Sequence, residues 1–189
     1  MKITARKNIE KISLPLPIYH AIHLADTVNK DGDNFIIIVG IDEKLISQLK
    51  ILSMDSSDME LQKNTSDFKR FGLGKYEDWY KKNRTPFVLV HRDTNALAAL
   101  VWFGPEPLRL REGNWHTVAW RSYPSFRGKG MTGDFTKFVF DFYIKQVSKV
   151  KISAIIKKGN SGSIRLAKSL GFKELLETPG KETLIMVKE

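Results

Sequence analysis

The chain has 189 residues, of which 42% are hydrophobic, and its formal net charge at pH 7 is +10. This length is sufficient for one hydrophobic core and too short for two ordinary domains, so we expect a single domain over residues 1–189. Cysteine is absent, which excludes disulfides, thiolate zinc sites and cysteine nucleophiles. The positive charge favours polyanionic partners such as nucleic acids, acidic proteins and phosphorylated cofactors.

Targeting signals are not evident in the sequence. The N-terminal segment MKITARKNIEK lacks the apolar stretch of a secretory signal, and no run of about eighteen apolar residues occurs. We therefore expect a cytoplasmic protein without a membrane partner. Lysine and arginine are spread along the chain without the aromatic-and-basic pattern of an RNA-binding sheet, which favours a solvated basic surface. A nucleic-acid-binding module stays open as an alternative.

Residues 1–85 are predicted to be a helix-rich N-terminal part. Pro17 suits the first turn of a helix that would continue to about Val28. The β-branched apolar run at 35–41 predicts a buried strand. Two further helices are predicted, one from about residue 42 and one over residues 78–82, which ends before a proline.

Residues 86–189 show clearer alternation and are predicted to form the core. The runs 87–90 and 97–103 flank a turn-rich segment and predict a β-hairpin. The remaining predicted elements are a strand at 114–121, a helix with an aromatic face around 135–142, a strand at 150–156, a helix at 160–170 and a strand at 184–187. This order predicts an α/β (α+β) fold with a mixed, mostly antiparallel central sheet flanked by helices.

A glycine-rich loop precedes the long helix. Residues 128–133 match G-x-G-x-x-G, but residues 123–127 separate the first glycine from the preceding strand, unlike a dinucleotide-binding loop. The acidic residue expected about twenty positions later is also missing, because the next strand ends in Lys157 and Lys158. These lysines could accept a 2′-phosphate, so NADP binding stays open as a minor alternative.

The same loop is also suited to binding a pyrophosphate. A glycine-rich turn that opens a helix presents backbone N–H groups at the positive end of the helix dipole. Gly128 and Gly130 let the backbone approach phosphates without a Cβ in the way, and Arg127 and Lys129 add positive charge. An exposed basic turn with no ligand is equally compatible with this loop alone.

A second motif follows the predicted strand at 150–156. Residues 124–132 match P-x-x-R-G-x-G-x-(G/A) except at the last position, and residues 160–172 match N-x-x-S-x-x-(L/V)-A-x-x-x-G-F. With both motifs in this order, the chain resembles the GNAT superfamily of acetyl-CoA-dependent N-acetyltransferases over about residues 114–172. The resemblance implies two strands that splay apart to admit the pantetheine arm. It also implies direct acetyl transfer to a primary amine of a small molecule or protein by a monomer or homodimer.

The resemblance also implies which residues contact acetyl-CoA. Strand residues would line the pantetheine arm, backbone N–H groups of the loop would hold the pyrophosphate, and the second helix would face the arm from the other side. The implied cofactor-binding residues are Trp120, Arg121, Ser122, Arg127, Gly128, Lys129, Gly130, Met131, Thr132, Asn160 and Ser163. Asn160 also suits the N-cap of the second helix, and the two roles are compatible.

Two positions depart from the family pattern. Thr132 stands where glycine or alanine is usual, and Ala167 stands where many members carry the tyrosine that protonates the leaving thiolate. Similarity to ribosomal-protein N-terminal acetyltransferases suggests Ser163 as the thiolate partner, although its hydroxyl could equally be bonded locally within the helix. The missing tyrosine leaves a non-catalytic acyl-CoA-binding or sensor domain open as an alternative.

An amine acceptor must lose a proton before it attacks a thioester, which requires a base. His116 lies on the predicted strand that leads to the acyl site and titrates near neutrality, although a strand histidine is often structural. Glu112 and Glu106 lie in the same region and are further candidates. His20 and His23 would share a face of the first predicted helix, but no third ligand is evident, so no metal site is expected.

Overall fold

The computed structural model describes residues 1–7, 11–109, 111–175 and 182–189. Its strands are β1 (Lys2–Ala5), β2 (Ala21–Val28), β3 (Asn34–Gly40), β4 (Thr85–His91), β5 (Leu97–Pro105), β6 (Trp115–Ser122), β7 (Lys151–Lys157), β8 (Lys173–Glu174) and β9 (Thr183–Lys188). Its α-helices are α1 (Glu43–Met54), α2 (Met59–Asn64), α3 (Tyr76–Tyr80), α4 (Met131–Gln146) and α5 (Ser161–Ser169). A π-helical turn at Phe68–Leu73 and a 3-10 turn at Pro124–Phe126 complete the described elements.

The strands form one sheet of nine strands in the order β1-β2-β3-β4-β5-β6-β7-β9-β8. Each neighbouring pair is antiparallel except β6 and β7, which run parallel. The predicted hairpin is confirmed as β4 and β5. The predicted fold class, a mixed and mostly antiparallel sheet flanked by helices, is confirmed.

Helices cover both faces of this sheet. Side chains alternate along the central strands, so that Phe87 and Leu89 of β4 pack towards α4 and α5, whereas Val88 and Val90 pack towards α1 and α3. The aromatic stripe predicted for α4 lies on the first face, where Phe135 and Tyr143 are fully buried. These two packed layers hold the central strands rigidly, which fixes the positions of the loops at their ends.

The sheet opens between β6 and β7. Register pairs join residues 115–117 of β6 to residues 151–153 of β7 and then stop. Beyond this point β6 continues to Ser122 and β7 to Lys157 without pairing to each other. The two strands therefore diverge, as the family resemblance implied, and leave a gap within the sheet.

The helix predicted between Pro17 and Val28 is wrong, because residues 21–28 form strand β2. This strand is paired on both sides, with β1 and with β3, and a register shift between His23 and Ala25 interrupts its alternation. A bulge of this kind conceals the period of two that identifies a strand in a sequence. His20 and His23 consequently share no helix face. The N-terminal part contributes three strands to the sheet as well as helices.

Other elements match their predictions within a few residues. The helices predicted from residue 42, at 78–82 and at 160–170 correspond to α1, α3 and α5, and the strands at 35–41, 114–121, 150–156 and 184–187 correspond to β3, β6, β7 and β9. Helix α2, the π-helical turn, β1 and β8 were not predicted. Within the described ranges, no helix is long and apolar enough to cross a membrane. The same ranges contain no group of three or more histidine or carboxylate side chains suited to a metal ion.

Candidate active site

The glycine-rich loop links β6 to α4 and has the backbone shape that only glycine adopts easily. Gly128 and Gly130 have φ angles of 79° and 71°, and Gly130 is the left-handed N-cap of α4. A Cβ at either position would meet nothing within 4 Å, so backbone conformation and not crowding favours glycine there. The first N–H groups of α4 have no partner within the helix and lie at the positive end of its dipole.

Arg127 is fixed by an ion pair that crosses from this loop to the N-terminus of α2. Its Nη1 and Nη2 atoms donate to the two carboxylate oxygens of Asp58 at 2.8 and 2.7 Å, and Nη2 also donates to the Ser122 carbonyl at 2.9 Å. Burial raises the pKa of Asp58, but the hydrogen bonds from Arg127 and from the Leu61 N–H outweigh it and leave the pKa lowered. Asp58 therefore compensates the positive charge of Arg127, which the sequence analysis had associated with phosphate binding.

Two adjacent cavities lie along the gap between β6 and β7. The first, which we name the loop cavity, has a volume of about 310 Å³ and includes Glu60, Ser122, Arg127, Thr132, Gly133 and Leu166 in its lining. The second, the arginine cavity, has a volume of about 500 Å³ and includes Arg70, Trp79, Arg84, Trp102, Glu106 and Lys157. The cavities share Asn64, Thr65, Trp120, Arg121, Asn160 and Ser163 in their linings, so they meet where the strands diverge.

Ser163 lies at this junction and bridges the gap. Its Oγ accepts a hydrogen bond from Trp120 Nε1 of β6 at 3.2 Å, while its own backbone N–H donates to Asn160 Oδ1 at 3.0 Å. Asn160 is the N-cap of α5, which confirms the capping role predicted for it. Because Trp120 occupies one lone pair of the hydroxyl, the Ser163 O–H remains available as a donor.

Glu106 is the one carboxylate among the described residues that line the arginine cavity. It lies just beyond β5, its side chain is 51% exposed, and its Oε2 accepts from Arg84 Nη2 at 2.6 Å. Arg84 also donates to the Pro105 carbonyl at 3.1 Å and stacks over the Trp102 ring at 5.1 Å. The carboxylate is therefore fixed by a buried guanidinium while it stays accessible from the cavity.

Comparison with known proteins identifies the family. A model of the acetyltransferase (GNAT) domain matches residues 46–173, which is well over half of the chain. The chain belongs to the GNAT acetyltransferase family. This membership confirms the resemblance drawn from the two motifs and indicates an acyltransferase. No curated protein sequence matches the chain.

Solved structures share this GNAT fold at low sequence identity. The GNAT domain of PAT from S. lividans has a TM-score of 0.62 at 13% identity, over 86% of this chain and 94% of that chain. The ribosomal-protein-S5-alanine acetyltransferase of Vibrio fischeri has a TM-score of 0.57 at 16% identity, over 80% and 92%. A spermidine N-acetyltransferase chimera from Vibrio cholerae and hSSAT has a TM-score of 0.57 at 15% identity, over 80% and 93%.

Most residues that the GNAT resemblance assigned to the cofactor lie at the gap. Trp120, Arg121, Ser122, Arg127, Thr132, Asn160 and Ser163 line at least one of the two cavities. The turn itself is built by Gly128, Lys129, Gly130 and Met131. Lys129 lies 5.7 Å from the Phe126 ring and makes no ion pair with a described residue, which leaves its charge available at the turn.

Two candidate bases lie away from this site. His116 is buried beneath α4, where its Nδ1 atom is 2.6 Å from the Tyr143 hydroxyl, and it lines neither cavity. Burial, followed by the positive charge of Arg84, lowers the pKa of His116. Glu112 is exposed on the loop before β6 and also lines neither cavity. Among the three candidates, the structure places Glu106 alone in a cavity lining.

Sequence reasoning missed the contribution of residues 58–84 to this GNAT site. Asn64 and Thr65 line both cavities, and Arg70 and Arg84 line the arginine cavity. The N-cap Asp58, which accepts from the Leu61 N–H at 3.1 Å, was the local signal that could have indicated α2. Nothing in the sequence pairs Asp58 with Arg127, because the two residues are far apart along the chain.

Proposed function

We propose that this protein transfers an acetyl group from acetyl-CoA to a primary amine. The observation that carries the proposal is the gap between β6 and β7, which has the glycine turn at one end and a polar cavity at the other. GNAT domains use acetyl-CoA as a cosubstrate, and the family match supports that expectation here. A cytoplasmic location and action as a monomer or homodimer remain part of this proposal.

The residues around the gap fit acetyl-CoA. Both glycines of the turn are open to the outside, so phosphates could approach the backbone without a clash. The N–H groups at the start of α4, which have no partner within the helix, and the charge of Lys129 suit a pyrophosphate. Beyond residue 117, β6 has no partner on its β7 side, so its backbone could pair with an extended pantetheine arm.

Glu106 in the arginine cavity and Ser163 at the junction of the two cavities are suited to acid–base catalysis. Acetyl-CoA, when bound, supplies the activated thioester. Glu106 would accept the proton that the amine loses as it forms the new C–N bond. The Ser163 hydroxyl would donate a hydrogen bond to the sulfur as the C–S bond breaks, and Trp120 would hold that hydroxyl in place.

The solved structures do not select the class of amine that this protein acetylates. The solved structures of the same fold include a ribosomal-protein-S5-alanine acetyltransferase and a spermidine N-acetyltransferase chimera by their names. Their identities to this chain are too low to carry an acceptor across, so small molecules and protein amines are both compatible with the proposal.

A non-catalytic acyl-CoA-binding domain is the second candidate. The observation that favours it is Ala167, which is fully buried in the core and lines neither cavity, so that position supplies no acid. Release of coenzyme A thiol in the presence of a panel of amines would decide for the enzyme. Binding of acetyl-CoA without any amine-dependent thiol release would decide for the binding domain.

A calorimetric titration with acetyl-CoA, coenzyme A and NADPH in parallel tests the proposed cofactor. We expect both coenzyme A species to bind at micromolar concentration and NADPH to bind far more weakly, because residues 123–127 separate the glycine turn from β6, unlike a dinucleotide-binding loop. Preferential binding of NADPH would assign the loop to a dinucleotide. Absence of binding to any of the three would contradict the proposed function.

Replacement of Glu106 tests the proposed base. We expect Glu106→Gln to lower kcat by about 100-fold or more, with acetyl-CoA binding unchanged, because a positioned base contributes about 10²–10⁴-fold. Glu174→Gln makes the same change on exposed β8, outside both cavities, and serves as the control. A larger loss of kcat in Glu112→Gln than in Glu106→Gln would indicate that the base is Glu112, on the loop before β6.

A further inference from the structure

The arginine cavity carries more positive charge than a neutral acceptor requires. Five cationic side chains line it, namely Arg70, Lys82, Arg84, Arg121 and Lys157. Among described residues, the carboxylates that compensate them are Glu106 in the lining and Asp67, which pairs with two of the arginines. The lining therefore has an excess of positive charge, and low-dielectric walls strengthen its attraction for an anion.

Arg70 and Arg121 share a single carboxylate. Asp67, which is fully buried, accepts from Arg70 Nη1 at 2.8 Å and pairs through its other oxygen with Arg121 Nη1. The second Nη atom of each guanidinium makes no hydrogen bond with a described residue. Burial, followed by the positive charge of Arg121, lowers the pKa of Arg70. An additional anion would relieve this repulsion.

The polar atoms around this pair are donors without acceptors. Within the described part of the chain, the Nε atoms of Arg84 and Arg121 and the Nε1 atoms of Trp79 and Trp102 are buried and have no hydrogen-bond partner. Trp102 also lies between two cations, with Arg84 at 5.1 Å and Arg70 at 5.4 Å from its ring. Buried unpaired donors are unfavourable, and their N–H dipoles add positive potential behind the cavity wall, which favours an anion over a cation there.

We propose that the acceptor is a small amine that also carries a carboxylate or phosphate, which Arg70 and Arg121 bind while its amine lies near Glu106. This inference rests on the proposed acetyl transfer and names the substrate class of the same site. Both anions carry at least two oxygens, so that one anion can accept charge-assisted hydrogen bonds from the free Nη atom of each arginine. A polyamine would place further positive charge beside an already cationic lining, which disfavours it.

Matched acceptor pairs test the proposal. Thiol release with acetyl-CoA is measured for glycine against glycinamide, for glutamate against glutamine dimethylamide, for phosphoethanolamine against ethanolamine, and for spermidine. We expect kcat/KM to be about ten-fold or more higher for the anionic member of at least one pair, since about 1.4 kcal/mol corresponds to a factor of ten. The pair that shows the difference identifies carboxylate or phosphate. Equal or higher kcat/KM for the neutral amines or spermidine would overturn the proposal.

A charge-neutral variant links the preference to the cavity. Arg70→Gln should reduce the anionic preference to about three-fold or less, while Asp67 keeps Arg121 as its partner. Lys69→Gln makes the same charge change at an exposed neighbour that lines neither cavity, and it should keep the preference. Equal effects of both variants would assign the preference to the general field of the protein and overturn the proposal.

A binding measurement separates this inference from the proposed function. Each anionic amine is titrated into protein saturated with coenzyme A, and the titration is repeated with Arg70→Gln. Binding that Arg70→Gln weakens supports the inference even if no amine is acetylated. Acetylation of amines without anion-dependent binding overturns the inference and leaves the proposed function intact. A loss of coenzyme A affinity in Arg70→Gln would assign these arginines to the cofactor and also overturn it.

Discussion

Ser163 contacts the helix cap through its backbone and the gap through its side chain. Its backbone N–H donates to the Asn160 cap, and its Oγ accepts from Trp120, which orients the hydroxyl across the gap. A fixed donor needs little reorganisation when charge develops on a nearby sulfur. In the proposed mechanism, the side chain would stabilise the leaving group only while the Trp120 hydrogen bond is intact.

Removal of this hydroxyl should affect turnover more than binding. We expect Ser163→Ala to lower kcat by about 10-fold or more while acetyl-CoA affinity changes less than about three-fold, because the lost bond forms mainly in the transition state. Steady-state thiol release and calorimetry measure the two quantities. Ser161→Ala, in the exposed first turn of the same helix, is the matched control. An unchanged kcat in Ser163→Ala would leave the thiolate without a partner from α5.

Local signals in the sequence predicted some of these residues and long-range contacts concealed others. The Asn160 cap was predictable because the cap and the N–H it accepts from are three positions apart. Glu106 could not be chosen over Glu112 or His116 from the sequence. The choice depends on how α4 and the segment between β5 and β6 are arranged around the cavity in the folded protein. Only the assembled fold shows that His116 is covered by α4 and that Glu106 borders the cavity.

The glycine turn before α4 acts as one element, and its backbone shape can be tested. We expect Gly130→Val to weaken acetyl-CoA binding by about ten-fold or more, because a β-branched residue disfavours φ of 71° and would distort the turn. Gly32→Val is the control, since Gly32 has a φ of 90°, equally open surroundings and a place in the distant β2–β3 turn. Calorimetry should show a binding loss only for Gly130→Val. Normal binding there would contradict a phosphate role for this turn.

The ion pair between Arg127 and Asp58 holds the turn against α2. Asp58→Asn keeps an oxygen to cap α2 but loses the charge, so we expect a loss of about 1–2 kcal/mol in unfolding free energy and weaker acetyl-CoA binding. Denaturant unfolding measures the first quantity. Asp78→Asn removes an exposed pair to Lys81 at 3.8 Å and should cost less than about 0.5 kcal/mol. Equal losses in both variants would mean that the Arg127 pair contributes little.

The elements that sequence reasoning missed have a common physical cause. Strand β2 contains a bulge, and α2 and the π-helical turn are too short to show a periodic apolar face. These segments are determined by their neighbours, β1 and β3 for the strand and α1 for the turn. Long periodic elements such as α4 and the β4–β5 hairpin carry their own signal and were predicted correctly.

At the scale of the whole molecule, stability should depend on pH through a buried histidine. The pKa of His116 is lower in the folded protein than in the unfolded chain, so its contribution is full above about pH 6.5 and declines as the pH falls below that value. We expect the unfolding free energy to decrease from pH 7.5 to pH 5.5, and His116→Gln to reduce that decrease. Denaturant unfolding at both pH values measures it.

A variant of an exposed histidine provides the control for this prediction. His20→Gln changes a side chain on the surface before β2 and should leave the pH dependence close to that of the unmodified protein. His116→Gln should also retain most of its kcat, because His116 lies beneath α4 and outside both cavities. A loss of kcat comparable to that of Glu106→Gln would return His116 to the list of bases.

The gap between β6 and β7 has a consequence for the handling of the protein. A strand inside a sheet normally has a neighbour on both sides. Strand β6 pairs with β7 only up to residue 117 and therefore has a free edge from residue 118 to residue 122. A free strand edge can pair with an extended segment of another chain, and this pairing promotes aggregation. A ligand that fills the gap would also cover this edge. We therefore expect that coenzyme A, added during purification and storage, prevents aggregation at protein concentrations where the ligand-free form aggregates.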